Sequence, residues 1–347
     1  MRFPMIVLVL YAHSIRPEGL PMYWNTDGES IFRIVTELFS HYIGGLALCW
    51  FFFFSGFLFF YNLQDGQYGK EWVTRKWRRR LRSVLIPYVV WNLIMVLAVI
   101  LVSTLFQWVG ISYSQDPVVA LRRGWVYWFI TGPINFPLWY LRDLVVLSLL
   151  APLFYYPVKK CPWITMAVLL GLYLATFLGL KFFLFPSFTF FGIGAWMSIR
   201  KDNLIELCYR YRMPAAVLSV FLLAGTLMHY NLDLDNNLFL LFAPFGMVTF
   251  FNICYSWYKC PRIRKGLLGL TETVFFIYAA HEIYILGWTK GLFVRVLGDA
   301  LWAQWVSYLL VPVVTLFVCL LLFYALKRFA PRTLAFLCGF RTVHTIP

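Results

Sequence analysis

Long apolar stretches, several approaching the roughly 20 residues that cross a bilayer, recur along the whole chain between short charged or Pro- and Gly-containing breaks. That pattern restricts the chain to a bundle of membrane-crossing helices. The stretches run from Phe3 to His13, Tyr42 to Asn62, Ser83 to Trp108, Pro137 to Tyr156, Trp163 to Leu180, Phe182 to Ile199, Pro214 to Met228, Leu238 to Trp257, Thr273 to Trp288 and Trp302 to Leu326. Pro137 and Pro214 open two of them, where proline suits a first helical turn. Composition agrees, since 61% of the 347 residues are hydrophobic and 13% charged, too little charge to cover a soluble surface. The expected fold is all-α, a polytopic integral membrane protein of about ten transmembrane helices in one bundle. It is expected to form a single transmembrane domain over residues 1–347 with no separate soluble domain.

Charge sets the orientation. With a cytosolic N-terminus, alternate segments on the inside carry 21 of the 30 Lys and Arg, and those on the outside carry 7. Such a bias predicts both termini in the cytosol. It also accounts for much of the +15 net charge, so no nucleic acid is needed to explain it. The first stretch is short: about 12 residues rise ~18 Å, against a ~30 Å hydrocarbon core. Either a further turn precedes it or the bilayer is thinned there. No small-residue cleavage site follows it, so it is not read as a signal peptide. No internal repeat supports a transporter built from inverted halves.

Ionisable groups inside the apolar stretches are expensive and usually face an interior cavity. Arg2 and His13 are 11 residues apart, which returns them to within roughly 20° on one helix face and separates them by ~16 Å along the axis. The alternative is an interfacial anchor at Arg2 and a loop histidine at His13. In FFFFSGFLFF (51–60), Ser55 and Gly56 interrupt a phenylalanine run, which reads as close helix packing at a small residue. RKWRRRLRSVLIPYVVWN (75–92) leads a basic cluster into a helix past Pro87. PLWYLRDLVVLSLLAPLF (137–154) buries Arg142 and Asp143, and TETVFFIYAAHEIYI (271–285) buries His281 and Glu282.

In their order along the chain these segments resemble the membrane acyltransferase-3 family, integral-membrane O-acyltransferases of bacterial surface polysaccharides. Arg2 and His13 match its arginine, ten residues, histidine motif; FFFFSGFL, RKWRRRLRSVLIPY, PLWYLRDLVVLSLLAPL and FFIYAAHEIYI are similar to its later segments. Glu282 stands where that family usually has proline. The resemblance implies transfer of an acyl group, most often acetyl, from cytosolic acyl-CoA as co-substrate to a hydroxyl of an extracytoplasmic glycan or lipid-linked saccharide. It implies a multi-pass protein of the bacterial cytoplasmic membrane.

Chemistry then suggests roles. A sugar hydroxyl needs a positioned base, and imidazole suits that at neutral pH, so His13 is the expected general base. Arg2, Ser55 or a backbone amide is expected to stabilise the tetrahedral intermediate, with Arg2 also placed to hold the CoA arm. Arg79 and Arg82, then Arg75 and Arg78, are spaced to share helix faces and grip the CoA phosphates, though an anionic lipid would also bind such a cluster. Ser55, Tyr140, Arg142 and His281 are further cavity candidates; Arg142 with Asp143 also reads as a structural ion pair, and His281 as a packed, hydrogen-bonded histidine. Seven scattered cysteines, four of them on the cytosolic side, form no disulfide framework. No zinc spacing and no nucleotide phosphate loop occur, so no metal and no permanently bound cofactor is expected. The long segments after His13 and Trp108 are expected to shape the acceptor entrance. The rival reading is a transporter or flippase of a lipid-linked saccharide with His13 and His281 carrying protons. Lipid-facing and partner-facing helix surfaces have similar composition, so the sequence leaves the oligomeric state open.

Overall fold

The computed structural model describes residues 1–14, 27–64, 66–110, 121–177, 185–228 and 232–340. The first apolar stretch forms α1 (Arg2–Ala12). The second is part of a longer helix, α2 (Gly28–Phe60), which starts where the Asp27 side chain accepts from Ser30 N at 2.7 Å and so satisfies one of the unpaired amides of a helix start. The basic segment is likewise drawn into the next helix, α3 (Lys70–Trp108), which passes through a wide π-helical turn at Leu81–Leu85. Next come α4 (Phe136–Lys160), α5 (Pro162–Phe177) and α6 (Phe185–Arg200). A bend of 64° joins α7 (Leu204–Arg210) to α8 (Arg212–Met228), and α9 (Leu232–Lys259) and α10 (Pro261–Gly269) follow. The ninth stretch is split into α11 (Val274–Ala280) and α12 (Leu286–Leu297) by a distorted turn at His281–Ile285, before α13 (Leu301–Phe329) and α14 (Pro331–Leu337).

Each of the ten sequence-predicted stretches is helical over nearly all of its described length, and no strand occurs among the described residues. Among the described residues five helices are long and apolar enough to cross a membrane, namely α2, α3, α4, Leu238–Lys259 within α9, and α13, or six if the bent pair counts as one span. By length and composition the described residues therefore hold five or six of the about ten spans that the sequence predicts. Two local reasons are visible: α1 has 11 residues, short of a bilayer at about 1.5 Å per residue, and the ninth stretch is broken. Outward faces are oily, with Leu97, Leu101 and Leu105 on α3, Val217, Val220 and Phe221 on α8, and Val313, Phe317 and Leu321 on α13 all exposed. Helical spacing of exposed apolar side chains is what lipid requires, and the chain is a multi-pass membrane protein.

Two packing features position the interior. Helices α2 and α6 meet backbone to backbone: a Cβ added at Gly56 would lie 1.9 Å from the Phe191 carbonyl oxygen, and one at Gly194 would lie 2.0 Å from that of Phe53. The small-residue reading of Gly56 is thereby explained. Helix α1 packs against α2, α11 and α13 with Met5, Ile6, Val9 and Leu10 buried. Ile6 and Val9 lie on the face that has Arg2 at one end and His13 at the other. Much of the two long segments expected at the acceptor entrance (15–26 and 111–120) lies outside the described residues, as do His229 and His344.

Candidate active site

Three helix ends converge on His13, which caps the C-terminus of α1. Its Nδ1 lies 3.3 Å from Glu282 Oε1, and its ring centroid lies 5.3 Å from that of His281 and 6.1 Å from that of Phe136. The side chains of His13 and Glu282 are 24% and 27% exposed, so a substrate can reach them, whereas His281 is fully buried. The position is fixed from several sides. Lys290 Nζ, on α12, donates to the His13 carbonyl oxygen. Ser14 Oγ donates to Leu10 O at 2.6 Å, and Ser40 Oγ to Tyr11 O at 2.8 Å. The bonds to His13 O and Leu10 O reach carbonyls in the last turn of the helix, where intrahelical partners run out, and Tyr11 O also accepts from Ser14 N at 3.0 Å.

His281 and Glu282 reach the same place from the C-terminal end of α11, just before the break that separates it from α12. Ile283 has φ −77° and ψ 76°, and Tyr284 has φ 60°, a conformation uncommon for a residue other than glycine. Such strained turns cluster at functional sites. The start of α4 closes the third side: Asn135 Nδ2 donates to Ala279 O at 2.9 Å, and the Tyr278 hydroxyl donates to Pro137 O. His281 Nδ1 is 3.1 Å from Ile277 O, which can only accept, so Nδ1 carries the proton and Nε2 is left as a lone pair. That Nε2 is buried and has no hydrogen-bond partner among the described residues.

A second polar group lies further along the bundle. Arg80 turns inward and donates from Nη2 to Ser55 O at 2.9 Å. Ser55 Oγ and the Tyr140 hydroxyl are 3.1 Å apart, and that hydroxyl also reaches Phe51 O at 3.2 Å. Arg2 lies within electrostatic reach of Arg80. Aromatic rings link the two groups, with Tyr140 against Tyr278 at 5.9 Å and Tyr278 against His281 at 6.4 Å. Phe136 and Tyr140 are four residues apart on α4, so about 6 Å of helix separates the levels of the two groups there.

The expected residues thus divide. His13 and His281 meet at one end, while Ser55 and Tyr140 meet at the other with Arg2 within electrostatic reach. Arg75, Arg78, Arg79 and Arg82 are exposed, and the inward position in that cluster belongs to Arg80. Arg142 bonds Asp143 through Nε and Nη2, both at 2.9 Å, and donates to Thr131 O at 2.7 Å, an ion pair that ties α4 to the turn Tyr127–Thr131. Glu282, Arg80 and Lys290 were missing from the sequence-derived roles. The contact of Glu282 with His13 joins residues far apart in the chain, which no local spacing reveals.

Residues 1–324 match the profile of the acyltransferase-3 family, described as an acyltransferase domain. The succinoglycan biosynthesis protein ExoH of Rhizobium meliloti is 30% identical over 230 residues, covering 62% of this chain and 57% of that protein. The chain therefore spans little more than half the length of that relative. No solved structure matches.

Proposed function

Because the chain belongs to the acyltransferase-3 family, we propose that it transfers an acyl group, acetyl foremost, from cytosolic acyl-CoA to a hydroxyl of an extracytoplasmic glycan or lipid-linked saccharide. The relative's role in succinoglycan biosynthesis supports a glycan as the acceptor. The observation that carries the reading is the 3.3 Å approach of His13 Nδ1 to Glu282 Oε1. A carboxylate can only accept, so it holds the proton on Nδ1 and leaves Nε2 free as a base.

The reaction then follows from the residues. His13 Nε2 takes the proton of the sugar hydroxyl as its oxygen attacks the thioester carbonyl. The carbonyl oxygen gains the negative charge of a tetrahedral intermediate, which collapses with cleavage of the C–S bond. The imidazolium, stabilised by Glu282, returns its proton to the departing CoA sulfur. At the other end the exposed arginines of α3 meet the CoA phosphates, as planar guanidinium groups do well. Arg80, beside Ser55 and Tyr140, receives the arm that carries the thioester, with Arg2 within electrostatic reach of Arg80.

The test is release of free CoA thiol from acetyl-CoA by the protein purified in detergent, with binding followed separately. His13→Ala is expected to bind acetyl-CoA as wild type does and to release no thiol above background. Should wild type release no thiol from any acyl-CoA, with or without a saccharide acceptor, the reading fails.

A further inference from the structure

His13, His281 and Glu282 each present one donor atom, and those atoms all lie within 4.8 Å of one another. Two imidazoles and one carboxylate form a ligand set used by catalytic zinc sites, with a fourth position left open. Donors on a tetrahedron with bonds of about 2.0–2.1 Å are about 3.3–3.4 Å apart. The His13–Glu282 pair is already at 3.3 Å, and both side chains are partly exposed and able to turn toward His281. The buried histidine supplies an independent observation. Its Nδ1 is committed to Ile277 O, which fixes the tautomer, and its Nε2 is fully buried with no partner among the described residues. A carbonyl holding the far nitrogen of an imidazole is how proteins orient metal-ligating histidines.

From this geometry we infer that His13, His281 and Glu282 form a binding site for a transition-metal dication, Zn2+ above all, and that metal occupancy and acyl transfer exclude each other. The exclusion is a matter of one lone pair and rests on the acyltransferase reading above. A metal on His13 Nδ1 displaces the proton from that nitrogen and leaves it on Nε2, so the ring can no longer accept a proton there. A hard cation such as Mg2+ prefers oxygen ligands and is not expected to compete.

The experiment uses the full chain in detergent, stripped with a chelator and titrated with Co2+ alone, whose visible absorption reports a tetrahedral N/O site, and then with Zn2+ in competition. One equivalent of Co2+ per chain is expected, displaced by Zn2+ and not by Mg2+. Glu282→Gln and His281→Gln are each expected to weaken Co2+ binding at least 10-fold. A Cys161→Ser, Cys260→Ser double variant, which removes the two exposed thiols, is expected to bind as wild type does. Thermal unfolding of each variant identifies any that lost binding by losing structure, and Glu282→Gln, a near-isosteric change, then decides. Unchanged binding in a folded Glu282→Gln protein, or loss in the cysteine variant, would place the metal elsewhere and overturn the inference. Thiol release is measured in parallel with and without Zn2+. Metal binding without any turnover would sink the transferase reading and leave the site standing; turnover that Zn2+ at saturation does not reduce would sink the exclusion.

Discussion

Glu282 is the residue whose importance the sequence conceals most. In the chain it reads as a carboxylate in an apolar helix, and only the fold brings it to His13 Nδ1. Glu282→Gln keeps the shape but lets the side-chain amide donate to Nδ1 and favour the wrong tautomer. The expected outcome is a fall in kcat of about 100-fold with KM for acetyl-CoA nearly unchanged, measured by steady-state thiol release. Arg80 is hidden differently, within a run of three arginines whose facing depends on the wide turn that follows it. Because it donates inward to Ser55 O while Arg79 is exposed, Arg80→Ala is expected to raise KM for acetyl-CoA about 10-fold, and Arg79→Ala by no more than about 2-fold. Equal effects of the two substitutions would show that the exposed cluster alone holds the donor. The position of His13 is legible as an imidazole at the end of an apolar helix, on the face that carries an arginine 11 residues away, whereas its contacts with Glu282 and His281 are not.

At the scale of the element, apolar length located the helices and missed how they begin and break. Helix α2 extends from Gly28 and α3 from Lys70, each upstream of its apolar part, because polar residues at a membrane surface continue a helix as readily as apolar ones. The break at His281–Ile285 left no proline or glycine in the sequence to mark it, and Tyr284 at φ 60° carries the strain. Strain of that kind costs roughly 1–3 kcal/mol and persists only where surrounding contacts hold it. The glycine contact was legible in part, as a small residue within phenylalanines, although its partner at Gly194 was not. Gly56→Ala must push the helices apart and is expected to destabilise the protein by about 1–3 kcal/mol, seen as a lower unfolding temperature in detergent. Gly171→Ala, where nothing lies within 4 Å of the added carbon, is the control and should leave that temperature unchanged or slightly higher.

For the whole molecule, the bias of Lys and Arg supplies an orientation that can be checked directly. Cys161 and Cys260 are exposed, the other five cysteines are buried, and both exposed thiols belong to segments assigned to the cytosol by charge. A membrane-impermeant maleimide is expected to label them in inverted vesicles and to leave them unlabelled in spheroplasts; the opposite pattern would invert the topology. Leu101 faces outward from the apolar part of α3, so Leu101→Arg should cost about 2.5–3.5 kcal/mol of insertion and lower the yield in the membrane fraction. The backbone contacts at Gly56 and at Gly194 have a mechanical consequence at this scale. Sliding α6 along α2 by a single residue would bring a side chain to where each backbone now leaves room for none, so the two helices cannot shear past one another. They form a keel, and whatever opens and closes during turnover must do so around it.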